Sequence, residues 1–141
     1  MAECSDEAWN NFVMVSDFAD YELGSEKRNA AIASMYMGLA NNGGLNSFLT
    51  GAWDIDSAEV QNALEAVGAT VAAEQFGAVL RELGVPLPAM WQDERWAALE
   101  SAWSDKLDDL DVLSQEADKQ LLSVLVKHVK EHEAYYLQIG H

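Results

Sequence analysis

The chain has a single cysteine, Cys4, in 141 residues, so no intramolecular disulfide can form. It opens on MAECSDEAWNN, without the basic n-region and long apolar h-region of a secretory signal, and a reducing cytoplasm is the expected location. No apolar run approaches the roughly 20 residues needed to span a bilayer, which sets membrane insertion aside. Proline is almost missing: Pro86 and Pro88 are the only two, both in GVPLP. Alternating strand patterns are nearly absent as well. The deepest deficit is positive charge, with 8 Lys and Arg against 24 Asp and Glu and a formal net charge of -16. Such a chain repels DNA, RNA and anionic membranes, and it attracts basic protein surfaces over a Debye length of about 8 Å. Direct nucleic-acid binding is therefore not expected.

What is present is apolar content: 50% of the residues are hydrophobic, which separates this chain from disordered acidic tails. Its length suits one domain with a real core. Apolar residues recur at three and four, so the expected fold is all-α, a single-domain bundle of about six helices over 1–141 with a proline-containing loop near 84–92. The first helix should open at Ser5 and bury Trp9, Phe12 and Val13. A second opens at Ser25 and carries Ile32, Met35, Tyr36 and Leu39 to an Asn-Asn-Gly-Gly break, after which Leu45 to Thr50 make a short helical turn. Ser57 should cap a third, with Val60, Ala63, Leu64 and Val67 inward and Gly68 at its end. TVAAEQFGAVLREL reads as a fourth, closed by Gly84.

Past the prolines, a wheel projection of Asp93 to Asp111 as one helix places Trp96, Leu99, Trp103, Leu107 and Leu110 within ~80°. Asp93, Glu94, Glu100, Asp105, Asp108, Asp109 and Asp111 fall on the opposite side. A last helix, from about Ser114 to Leu137, should pack Leu121, Val124, Leu125, Val129 and Tyr136. Trp9, Trp96 and Trp103 have core spacing. Trp53 and Trp91 sit by loops, where they either cover the core or anchor a partner. The acids come in blocks, nine of them against two bases from Asp93 to Asp118, whereas Lys27 to Trp53 has two bases and no acid.

MYMGLANNGGLNSFLTG, then NALEAVGAT, then WSDKLDDLD after the proline loop, together resemble the family of the acidic DNA-mimic protein nineteen over roughly residues 25–136. Asn42, Gly43 and Gly44 match its Asn-Gly-Gly signature and Phe48 keeps a ring, while Leu45 and Leu49 stand where aromatics are usual. The resemblance implies an all-helical fold. For the family's characterised branch it also implies a homodimer that presents carboxylates in place of DNA phosphates to a DNA-binding regulator. The signature itself reads as structural, since Gly-Gly and apolar residues build a tight helix connection and carry no chemistry. The partner-binding acids lie outside it.

Duplex DNA carries a phosphate charge about every 1.7 Å of axis, and helix residues three or four apart sit roughly 5–6 Å from one another. Carboxylates on a helix can thus approximate phosphate spacing. Glu100, Asp105, Asp108, Asp109 and Asp111 form the densest row and are the candidate partner-binding face; the plainer reading is a solvated face that serves solubility. The expected function is a non-enzymatic, cofactor-free protein-binding module whose partner is a basic DNA-binding protein. The alternative is an immunity-type inhibitor of a nuclease toxin, built on the same charge.

A second alternative comes from HVKEH. His128, Glu131 and His132 match the His-x-x-Glu-His pattern of inverted zinc peptidases, and histidines at i and i+4 share a helix face. Both also fall in the stripe of Leu121, Leu125 and Tyr136, where each would be a core-facing side chain satisfied by a hydrogen bond. No third ligand is evident in sequence, and no metal is expected beyond an adventitious site that includes His141. NNGG lacks the lysine and preceding strand of a phosphate loop, and DIDSAE lacks the glycine and distal glutamate of a calcium loop.

Overall fold

Ser5 and Ser25 start helices as expected: their hydroxyls accept from the amides of Ala8 and Arg28, each at 3.2 Å. The structure, a computed structural model, describes residues 4–139. These residues form eight α-helices and one 3-10 turn with no strand, an all-helical single-domain bundle. In order they are α1 (Asp6–Met14), the 3-10 turn Phe18–Asp20, α2 (Glu26–Gly51), α3 (Ser57–Ala66), α4 (Thr70–Leu83), α5 (Gln92–Ala102), α6 (Asp105–Leu110), α7 (Gln115–Glu131) and α8 (Glu133–Ile139).

Helix α2 is the axis, packed by α3, α5 and α7, while α4 bridges α3, α6 and α7, and α8 folds back on α1. Its apolar residues surround it because neighbours arrive on several sides; Ile32, Tyr36, Leu45, Phe48 and Leu49 are all buried. Tyr36, Phe48 and Phe76 meet edge to face with centroids 4.9–5.8 Å apart at the centre. Burying a ring of this size contributes roughly 1.5–3 kcal/mol. A second aromatic group, Phe12, Tyr136 and His128, closes the end where α1, α7 and α8 meet. The Arg28 guanidinium donates to both oxygens of Glu59, at 2.6 and 2.9 Å, and ties α2 to α3.

Several local expectations change. Val13 is 43% exposed rather than buried. The cap of α3 is Asp56, whose carboxylate accepts from Ala58, and Ser57 is the first helical residue. Asp93 to Asp111 is two helices, α5 and α6, because Trp103 and Ser104 adopt extended backbone between them. The last helix also divides, at His132, into α7 and α8. Leu45 to Thr50 is a second half of α2 rather than an isolated turn. The proline loop holds against the body of the domain: Leu87 is buried and accepts from the Ser57 amide at 3.0 Å, and Met90 donates to Trp53 at 2.9 Å.

Candidate functional site

The Asn-Gly-Gly break works as a joint between distant parts of the chain. Gly44 has φ 86° and ψ -176°, a region open essentially to glycine alone, and there α2 loses its helical path for one residue. The restarting half leaves amides without intrahelical partners. Residue 111 supplies the acceptors: the Leu45 amide donates to the Asp111 carbonyl at 2.6 Å, and the Asn46 amide to the Asp111 carboxylate at 2.7 Å. A Cβ on Gly44 would stand 2.7 Å from that same carbonyl and carboxylate. Asp111 is therefore a helix cap, and it leaves the set of carboxylates free to meet a partner. Within the Asn42 to Phe48 signature, Gly44 makes the joint and Phe48 stands in the aromatic centre.

Helix α5 turns a different face inward from the one expected. Trp96 is 57% exposed, and Arg95 takes the interior at 1% exposure. Its guanidinium donates to five carbonyls: Leu49 and Ala52 from one terminal nitrogen, Ile55, Leu87 and Pro88 from the other, at 2.7–3.2 Å. The first two lie at the C-terminal end of α2, where orphan carbonyls and the helix dipole both favour a cation. Burial lowers the Arg95 pKa, and the nearby Asp56 and Asp54 oppose that shift. Sequence reasoning missed this residue because the α5 phase was set by tryptophans. Arg95, Leu99 and Ala102 share helical spacing, a phase visible once the helix is ended at Ala102.

With Trp96 outside, α5 and α6 present an acidic and aromatic surface. Glu100, Asp105, Asp108 and Asp109 are exposed, and Asp105, Asp108 and Asp109 share one face of α6 opposite the buried Leu107. Glu100 belongs to α5, so the row is broken at Trp103 and Ser104 rather than continuous. Asp108 accepts from the Trp103 indole at 2.8 Å, which holds the junction. Among the described residues, none of these carboxylates has an ion-pair partner. Trp91, 70% exposed, stacks on Trp53 with centroids 6.1 Å apart. A cleft of about 440 Å³ is lined by Asn46, Thr50, Trp96, Leu99, Glu100 and Trp103.

The histidines occupy the expected core-facing stripe. His128 is buried and hydrogen-bonded through Nε2 to the Tyr136 hydroxyl at 2.7 Å; His132 is half-buried, with Nε2 3.1 Å from a Glu26 oxygen. Glu131 lies apart from this pair and faces Lys127 at 3.9 Å. The acid that joins the histidines is Glu26, at the start of α2, which sequence spacing could not connect to them. His141 is outside the described residues. No helix among the described residues is long and apolar enough to cross a membrane.

The sequence model described as DMP19-like protein matches residues 22–132. The chain belongs to the DMP19-like family. The matched span runs from just before α2 to His132, so it contains both halves of the Gly44–Asp111 joint, Arg95, and the α5–α6 surface. Helices α1 and α8 fall outside the DMP19-like segment, although Phe12 and Tyr136 complete the core there. No curated protein and no solved structure matches the chain.

Proposed function

We propose that this DMP19-like chain is a non-enzymatic acidic module that occupies the DNA-binding site of a basic protein, with its carboxylates in the place of phosphates. The observation that carries the reading is the α5–α6 surface, where exposed, unpaired carboxylates stand beside exposed tryptophans. A face that served solubility alone has no use for Trp91 and Trp96, since exposed aromatics promote association. A DNA-binding cleft is rich in arginine. Its guanidinium could stack on Trp96 while donating to Glu100 one turn along α5, and further basic side chains would meet Asp105 and Asp109. Net charge steers the encounter, and the desolvated tryptophans supply the apolar contact that slows dissociation.

The test uses the variant Glu100→Lys, Asp105→Lys, Asp109→Lys. It spares Asp111, which caps α2, and Asp108, which holds Trp103. Immobilised wild-type chain is challenged with native lysate at low salt and eluted with a salt gradient; each eluted protein is then titrated with the chain and with duplex DNA. The expected result is a DNA-binding protein that duplex DNA and the chain compete for, bound about 100-fold or more weakly by the triple variant. The variant's unfolding midpoint should stay close to wild type. Capture of no DNA-binding protein, or equal capture by the folded variant, would remove the reading.

A further inference from the structure

We propose that Glu26, His128 and His132 form a binding site for a divalent metal of the zinc class, clamping the start of α2 to the end of α7. The three ligand atoms, one from each side chain, all lie within 4.8 Å of one another. Two of the three separations are already those of a coordinated set: Glu26 Oε1 is 3.4 Å from His128 Nδ1 and 3.1 Å from His132 Nε2. Metal–ligand bonds of about 2.0–2.1 Å in a tetrahedron require edges of about 3.3 Å. The remaining edge closes by rotation of the half-buried His132 ring, the least confined of the two imidazoles.

The surroundings prepare the site further. His128 Nε2 is committed to the Tyr136 hydroxyl, 2.7 Å away. With Nε2–H donating to Tyr136, the lone pair of Nδ1 is directed at Glu26, the outer-shell arrangement that fixes the tautomer of a metal-bound histidine. Two imidazoles and one carboxylate match zinc and its neighbours in the first transition row; magnesium and calcium prefer all-oxygen shells. A surface cavity of about 550 Å³, bordered by Glu26, His128, Asn29 and Glu131, leaves the fourth position open to water or a small ligand. Glu131 sits at the cavity wall, outside the ligand set, so the zinc-peptidase spacing of HVKEH is not what assembles the site.

The experiment is calorimetric titration of untagged, metal-stripped full chain with Zn²⁺ and separately with Mg²⁺, accompanied by thermal melts. One Zn²⁺ per chain should bind, with no heat from Mg²⁺. Glu26→Gln and His132→Gln, both at accessible positions, should each weaken zinc at least 10-fold, and Tyr136→Phe about 10-fold through the outer shell. At an excess of about 100 times Kd, zinc should raise the wild-type melting midpoint by about 9 °C and leave the Glu26→Gln midpoint unmoved. Absence of stoichiometric binding, wild-type affinity in Glu26→Gln and His132→Gln, or a loss confined to His141→Ala would each overturn the site.

Discussion

Gly44→Ala should destabilise the fold by about 2–4 kcal/mol, measured by urea unfolding. Two costs combine. The backbone at φ 86° and ψ -176° is one that a residue with a Cβ adopts only under strain of about 1–3 kcal/mol. The added methyl would also stand 2.7 Å from the Asp111 carbonyl, a backbone atom with no freedom to swing away. Retreat of that segment breaks the bonds to the Leu45 and Asn46 amides, and loss of such a cap costs about 1 kcal/mol more. Two other glycines calibrate the result. Gly24 has φ 81° with open space around its Cβ position, so Gly24→Ala should show the backbone strain alone. Gly38 lies inside α2 with nothing near, and Gly38→Ala should stabilise by about 0.5–1 kcal/mol. If Gly44→Ala and Gly24→Ala cost the same, the contact with Asp111 contributes nothing and the joint is wrongly assigned. Asp111→Asn, which keeps an acceptor, should be milder than Asp111→Ala.

Arg95→Met should cost about 3–5 kcal/mol, although methionine fills much of the same volume and is a good helix former. The reason is what remains behind. Five carbonyls from the end of α2, the following turn and the proline loop converge on one guanidinium; without it, those shielded from water lose their donor. Arg95→Lys should rescue little, because a single ammonium cannot reach both sets of carbonyls that the separate terminal nitrogens of arginine serve. Hydrogen exchange across 84–91 should accelerate in both variants, since the loop is held chiefly by Arg95, the Ser57 amide and the Met90 amide. An Arg95→Met variant within about 1 kcal/mol of wild type, with its loop still protected, would mean that water replaces the guanidinium freely.

Both positions show where reading the chain residue by residue succeeds and where it stops. The positions of α1, α2, α3 and α4 were legible because their signals are local: Ser5 and Ser25 cap from their own side chains, and Gly84 takes the left-handed turn that closes α4. The helix break at Asn42–Gly44 was legible for the same reason, as was the family it points to. The α5–α6 region was not. Treating Asp93 to Asp111 as one helix made a tidy wheel of tryptophans against carboxylates, yet the extended backbone at Trp103 and Ser104 resets the phase, so Trp96 and Arg95 exchange places relative to that wheel.

Composition and periodicity determined that this is an acidic, all-helical domain, and the Asn-Gly-Gly break with the motifs that follow it pointed to the DMP19-like family. These follow from net charge and from interactions spanning a few residues, which the order of the chain states directly. Only the tertiary structure decided which donors several of the acids meet. It turned Asp111 into a cap for a helix that restarts at Leu45, Asp108 into a tether for Trp103, and Glu26, at the start of α2, into the partner of His128 and His132. A carboxylate's role depends on which donors reach it, and those donors arrive by packing of distant helices, for which one-dimensional spacing carries no signal.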